Sequence, residues 1–461
     1  MIRYRDERIA ILDEPAFHRN TYKTLGWEYD PRLFLIHAPF KMDSQWEAET
    51  QRPDRRIRRK RKRPHAAHLQ EHIAFVRSLA SDVRRTGQER GIFAPLPQAD
   101  GTVLDNNIAA RAAVRQLFPV PSEDKKKEEQ GRRQQPDDIM GFPSSSVELR
   151  NQDDNNAVLV EGARKGGGKE DEEEEGEGAE EEGEEEEESL LLLPAGACAH
   201  AASVSAALRD GKGGKEWERR HYDAPNEKAR AVSNDHFLRI FVDPPWQSRS
   251  VSRLQTYETN QTAARELPPL ADRLAASDSD VPILALWLTN SPAADAEARH
   301  LLSIWKLEQV ARWYWLKTTI FGDPVYELDD VGHKLPFEQL ILATVPGRRD
   351  EAEKRLPKRY LFASVPMAVH SHKPPLGPLL DAFLGDPDPK HRFLELFARS
   401  LLPRTVSIGL EVFHLQHRRL FQAVPVHRDD DLDEKNECSE NPLPNDKTHT
   451  GETESDGGQV H

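Results

Sequence analysis

Seven short apolar runs, at 237–242, 283–289, 312–319, 340–345, 360–365, 393–397 and 406–408, set the narrowest limit on what this chain can fold into. Phe237-Leu-Arg-Ile-Phe-Val242 and Ile283-Leu-Ala-Leu-Trp-Leu288 are apolar on nearly every residue, so neither side is left for water. Strands of this kind are buried on both faces. Segments of helical character, 293–307 and 376–384, lie between several of the runs. Strands alternating with helices predict an α/β domain built on a mostly parallel sheet with helices on both faces. In such sheets ligands bind beyond the carboxyl ends of the strands, and chemistry is to be sought there.

Upstream of residue 236 the composition changes. Between Glu170 and Glu188 stand 15 carboxylates and no basic residue, which equals the whole formal charge of −15. The acidic balance is therefore one local tract, and it does not exclude a phosphate-binding groove elsewhere. Residues 122–188 show hardly any apolar period, the composition of a disordered linker. The expected organisation is an N-terminal region over 1–121, an acidic linker and connector over 122–235, a catalytic domain over 236–422 and a disordered tail over 423–461. Within the N-terminal region Leu69, Ile73, Val76, Leu79 and Val83 recur at helical spacing, and Gly87 is placed to end the helix. Eight of the nine residues at 55–63 are basic. Such a run is either a nuclear-import address or a phosphate-contacting strip. Import is the favoured reading, with an import receptor as partner and a nuclear location.

Cys198 and Cys438 are the only cysteines and form no CxxC pair, so neither a disulfide framework nor a cysteine zinc site is supported. His65, His68 and His72 share one stretch without a carboxylate cluster, and no metal is expected. The opening residues lack a signal-peptide pattern, and the apolar stretch 189–208 is interrupted by Pro194 and His200. A soluble intracellular protein with no membrane span is expected.

The run 237–242 ends abruptly in Asp243-Pro244-Pro245-Trp246. Two consecutive prolines cannot donate to a ladder, so the strand stops and the adjoining carbonyls are free to accept from a ligand. A carboxylate acceptor, free carbonyls and an indole plane meet at one strand end. If Asp243 and the Pro244 carbonyl take the two N–H donors of an exocyclic amine, its nitrogen lone pair is held toward an incoming methyl group. Trp246 offers a face for the base, and such stacking is worth about 1–3 kcal/mol. A rigid turn with a buried tryptophan is the alternative for the four residues taken alone.

They are not alone. Asp243–Trp246, Ala285-Leu-Trp-Leu-Thr-Asn290, Trp313-Tyr-Trp-Leu-Lys317, His333-Lys-Leu-Pro-Phe-Glu338, Ser371-His-Lys-Pro-Pro375 and Leu394-Glu-Leu-Phe-Ala-Arg399 occur in the order seen in the MT-A-seventy family of adenine N6-methyltransferases. Over roughly 236–420 the chain resembles that family, most closely the branch of methyltransferase-like protein four. The resemblance implies a Rossmann-like class I methyltransferase domain and S-adenosylmethionine as cofactor. It assigns catalysis to Asp243, Pro244, Pro245 and Trp246. Ser371, His372 and Lys373 would approach the methionine end of the cofactor, while Glu395, Phe397 and Arg399, with Gly409 and Glu411, would hold its ribose side. Gln247, Arg249, Asn290, Trp315, Lys317 and Lys334 are the substrate-side candidates, with Trp315 lining a base pocket or packing the core and Lys317 meeting phosphate. Where the family has Gly-Asn near the end, this chain has Gly409-Leu410, and a ribose-facing donor worth about 1–3 kcal/mol is missing.

Two functions from different classes follow. One is an enzyme methylating adenine in RNA, small nuclear RNA among the choices, or in DNA; the other is a catalytically silent nucleic-acid-binding or scaffold subunit of such a complex. Retention of Asp243 and Trp246 favours the enzyme. A chaperone acting through the acidic tract is a third reading. The sequence chooses neither RNA or DNA nor monomer or heterodimer.

Overall fold

The computed structural model describes residues 1–39, 67–95, 107–117, 147–161, 190–201, 204, 236–246, 264–274, 280–328, 334–369, 372–385, 387 and 393–424. The basic run 55–63, the acidic tract 170–188 and the tail 425–461 lie outside the described residues, as do Gln247, Arg249 and Ser371.

Each of the seven apolar runs contains a strand: β8 (Arg239–Val242), β9 (Ile283–Leu288), β10 (Glu308–Lys317), β11 (Phe337–Thr344), β12 (Arg359–Ser364), β13 (Phe393–Leu396) and β14 (Thr405–Ile408). Among the described residues eight further strands precede or follow them: β1 (Ile2–Arg5), β2 (Ile9–Leu12), β3 (Trp27–Tyr29), β4 (Val147–Arg150), β5 (Val158–Glu161), β6 (Leu190–Leu193), β7 (Cys198–Ala201) and β15 (Phe421–Ala423). The helices are α1 (Glu14–Tyr22), α2 (Ala67–Glu89), α3 (Ile108–Leu117), α4 (Pro292–Ile304), α5 (Arg349–Arg355) and α6 (Gly377–Leu384).

Among the described residues one sheet runs in the order β1-β2-β12-β10-β11-β9-β8-β13-β14-β7-β4. Within it β8 is hydrogen-bonded in parallel to β9 on one side and β13 on the other. The chain leaves β8 through β9 and the strands beyond it, then returns to lay β13 and β14 on the opposite flank. That reversal opens a crevice at the carboxyl ends of β8 and β13, where open α/β sheets bind ligands. The sheet is mixed, because β11 runs antiparallel to both neighbours, β9 and β10. This antiparallel course brings the amino end of β11 to the same edge as the carboxyl ends of β8, β9, β10 and β12.

Successive side chains alternate between the two faces, and each face is covered. On one, Ile240, Val242, Leu286 and Leu394 pack with Leu301 and Leu302 of α4. Further along the same face Tyr314, Leu316 and Leu361 meet Ile73, Val76 and Val83 of α2. On the other face Trp313, Trp315 and Phe362 are buried with Ala352 of α5 and with Leu379 and Leu380 of α6. The amphipathic spacing of α2 is thus used as expected. Its end is not at Gly87: the helix runs to Glu89, and Gly91 at φ +61° leads the chain away. Gly87 serves close packing instead, since a Cβ there would sit 2.1 Å from Phe93 Cδ2.

The expected boundaries need correction. Residues 1–424 form one compact unit, and four strands of its main sheet come from outside 236–422. From the N-terminal region β2 adds in parallel to β12, and β1 adds to β2. From the expected connector β7 adds in parallel to β14, and from the expected linker β4 pairs with β7. The linker reading therefore fails for 147–161, where β5 pairs with β6 and Asn151 donates to the carbonyls of Asn156 and Pro194. The physical reason is context. Four-residue strands such as Leu190–Leu193 give no alternation to detect, and the flanking charge dominates the composition.

Candidate active site

The site grows from the end of β8. Arg239–Val242 is buried on every residue, and the chain emerges at Asp243, which is half-buried and whose amide donates to the Leu396 carbonyl of β13 at 3.3 Å. Trp246 folds back toward the sheet. Its indole N–H donates to the Trp287 carbonyl of β9 at 2.9 Å, and its ring packs on the core between β8 and α4. The ring is partly buried, so the rigid-turn and functional readings both describe it: the edge is fixed by the sheet while one part stays open.

Lys373 closes the site from the β12–α6 segment. Its ammonium lies 3.0 Å from Asp243 Oδ2 and 3.2 Å from Glu338 Oε2. Burial opposes its charge, yet Asp243 and Glu338 outweigh burial and raise its pKa, so it stays protonated. Glu338, at the start of β11, also accepts from Lys317 at the end of β10. Burial pushes Glu338 up, but Lys373 and Lys317 hold its carboxyl down at about 2. The result is an alternating row of charges, Lys317, Glu338, Lys373 and Asp243, in which no carboxylate lacks a cation. Arg399 extends it, with Nη1 3.8 Å from Asp243 and Nε 2.9 Å from Glu411.

Beyond β13 the backbone is strained. Phe397 adopts φ +62°, uncommon for a residue with a side chain, and the Ala398 amide donates to Ile408 at 3.0 Å. Gly409 is required by this close approach: a Cβ on it would lie 2.3 Å from the Ala398 carbonyl oxygen and 2.7 Å from its nitrogen. Its role is therefore to seat the 397–399 turn. Leu410 beside it is 61% exposed. Glu395 faces the cleft with Oε2 buried and without a hydrogen-bond partner. Burial, reinforced by Asp243, pushes its carboxyl up to about 8. His372, Lys373, Asp243, Glu395, Phe397 and Arg399 line a single cleft.

The substrate-side candidates divide. Lys317 joins the charge row and lies 4.6 Å from the Trp315 ring centre. Lys334 is exposed beside Tyr326. Two candidates are held within the fold. Trp315 is 0% exposed with its N–H given to Ser364 at 2.8 Å, so it packs the core and lines no open base pocket. Asn290 donates to the Phe337 carbonyl and accepts from Gln339 at 2.9 Å, so its amide braces β9 against β11. Two contributors were missed. Glu338 lies inside a quoted motif yet had no role until the register of β10 and β11 set it opposite Trp315 and next to Lys317. Glu14, fully buried after β2, is bonded by Ser364 at the end of β12, and no local pattern announces it.

A parallel-centred sheet with an acidic Pro-Pro strand end at its switch point defines a Rossmann-like methyltransferase domain. The MT-A70 family profile matches residues 237–411. A Caenorhabditis elegans protein named DNA N6-methyl methyltransferase is 31% identical over 422 residues, spanning 90% of this chain and 98% of that relative. The N(6)-adenine-specific methyltransferase METTL4 of Homo sapiens is 37% identical over 199 residues, 40% of this chain and 39% of its own. The N6-methyladenosine RNA methyltransferase MTA1 of Pyricularia oryzae is 33% identical over 202 residues, 40% of this chain and 50% of its own. The chain belongs to the MT-A70 family of adenine N6-methyltransferases.

Proposed function

We propose that this chain transfers a methyl group from S-adenosylmethionine to N6 of adenine in RNA or DNA, at the crevice beyond β8 and β13. One observation carries the reading: Asp243, Lys373, Glu395 and Arg399, from three separate stretches of the chain, line one cleft where the sheet reverses direction.

The residues suit the cofactor. The unpartnered Glu395 Oε2 is an acceptor of the kind a ribose hydroxyl satisfies, and Lys373 meets a carboxylate as a point charge. Arg399 and the turn seated by Gly409 border the same side. When bound, S-adenosylmethionine supplies an electrophilic methyl on a sulfonium. Asp243 and the Pro244 carbonyl accept the two N–H groups of the adenine amine and hold its lone pair toward that methyl. Methylation would break the sulfonium's carbon–sulfur bond to leave a neutral thioether, and Asp243 would accept the one proton that the amine sheds. Pro245 fixes the turn, and Trp246 supplies a face for the base. Gln247, Arg249, Lys317 and Lys334 serve the substrate strand. Residues 55–63 direct the protein to the nucleus; a fluorescent fusion with those basic residues changed to alanine should stay cytoplasmic.

Calorimetric titration of S-adenosylmethionine into the full chain tests the cleft. Lys373→Met and Glu395→Gln should each weaken binding at least tenfold; unchanged binding in both would overturn the assignment. Matched RNA and DNA oligonucleotides then decide the substrate.

A further inference from the structure

A second set of buried polar groups stands directly behind the cleft and belongs to the N-terminal segment. Glu14 opens α1, one residue past Asp13, whose side chain caps the helix. Glu14 is 0% exposed, and its Oε2 has no hydrogen-bond partner. His372 Nδ1, also buried and without a partner, faces it at 3.5 Å. A buried unpaired polar atom costs about 1–3 kcal/mol, and here two complementary ones face each other slightly beyond hydrogen-bond length.

We propose that Glu14 is a positioning residue for the methyl-transfer site: its carboxyl bridges the Ser364 hydroxyl and His372 Nδ1, and so fixes the His372 tautomer presented to the cleft. The inference rests on the cleft being the cofactor site. The direction of the chain of bonds follows from its first member. The Trp315 indole nitrogen can only donate, and it donates to Ser364 Oγ at 2.8 Å. Ser364 passes its own hydrogen to Glu14 Oε1. The remaining Glu14 oxygen, protonated, then donates to His372 Nδ1, which leaves the His372 hydrogen on Nε2. His372 lines the cleft, so the relay delivers a neutral N–H donor next to Lys373.

The surrounding charges agree. Burial pushes Glu14 up to about 8 against the Ser364 hydrogen bond and Lys317 of β10, which lower it, with Asp13 adding to the rise. Burial, then Lys373, pushes His372 down to about 3. Burial, with His372, likewise keeps His18 neutral, and the His18 ring stands 5.6 Å from that of His372. Near pH 7 Glu14 therefore carries the proton, and both imidazoles are uncharged.

The test uses the full chain labelled with 15N-histidine, the His372 signals being assigned by difference from His372→Asn. Wild type should show a neutral ring protonated at Nε2. Glu14→Gln keeps an N–H aimed at Nδ1 and should preserve both that spectrum and the KM for S-adenosylmethionine. Glu14→Met, of similar length without a donor, should mix the tautomers and raise that KM at least tenfold, with kcat changed less. A wild-type ring protonated at Nδ1 or charged overturns the proposal, and this holds even if Glu14→Met fails to fold. So does an unchanged tautomer and KM in a folded Glu14→Met. Absence of S-adenosylmethionine binding by wild type would instead defeat the functional reading, and the spectrum would still report on the relay.

Discussion

Asp243 and Trp246 adjoin in sequence, yet their side chains are held differently. Asp243 is balanced by Lys373, and Lys373 keeps Glu338 if Asp243 is removed. Trp246 is anchored to the Trp287 carbonyl and packs on the core. Truncating Asp243 should therefore cost little structure, whereas truncating Trp246 removes an anchored and packed ring. Trp246→Ala should lower stability by about 1–3 kcal/mol, less than the 3–5 of a fully buried ring, whereas Trp246→Phe should recover most of that. Denaturant unfolding of the two variants measures it, and equal stability of Trp246→Ala and wild type would mean the packing contributes nothing. Much of the site was legible at this scale, because Asp243, Lys373, Glu395 and Arg399 sit in short motifs whose order is distinctive. The surroundings of Trp315 and Asn290 were not legible, for a physical reason. Strand periodicity tells which side chains share a face, but not whether a helix covers that face or a neighbouring strand absorbs an amide.

Elements were legible by the apolar run around them rather than by their length, since β8, β13 and β14 are only four residues each. The strands from β8 to β14 could be read because consecutive apolar residues have no other soluble explanation. The edges could not, since β1, β2, β4 and β7 lie among charged or alanine-rich neighbours that hide them. Their position changes what a deletion does. Removing 122–188 takes β4 and β5 with it, exposing the β7 edge and uncovering Leu191 and Leu193, which pack in a cluster with partly buried Val158 and Val160. That deletion should lower the melting temperature and impair activity. Removing only 166–185 spares both strands and leaves enough residues to turn between Glu161 and Leu190, and this shorter deletion should keep both properties near wild type. Melting curves and methylation rates of the two proteins decide the matter; an active, stable protein lacking 122–188 would show that β4 and β5 are dispensable.

For the molecule as a whole, the unusual feature is how many buried ionisable groups stand at one sheet edge in their neutral forms. Glu14 and Glu395 are both pushed up to about 8 by burial, Glu395 further by Asp243. A carboxyl that holds its proton more tightly when folded gives stability that is fully present below the ordinary value of 4.5 and is lost as pH rises through about 8. Between pH 7 and 9, where the buried histidines are neutral folded or unfolded, the melting temperature should fall. Glu14→Gln cannot titrate and should flatten that fall; an identical slope in the variant would remove Glu14 from the account. The central claim concerns the reaction itself. It is tested most directly by mass spectrometry of nucleosides from RNA and DNA pools incubated with S-adenosylmethionine and either wild type or Asp243→Ala. The account predicts N6-methyladenine from wild type in at least one pool and at least a hundredfold less from a folded, cofactor-binding Asp243→Ala. Equal product from the two proteins, or none from wild type with either pool, would contradict it.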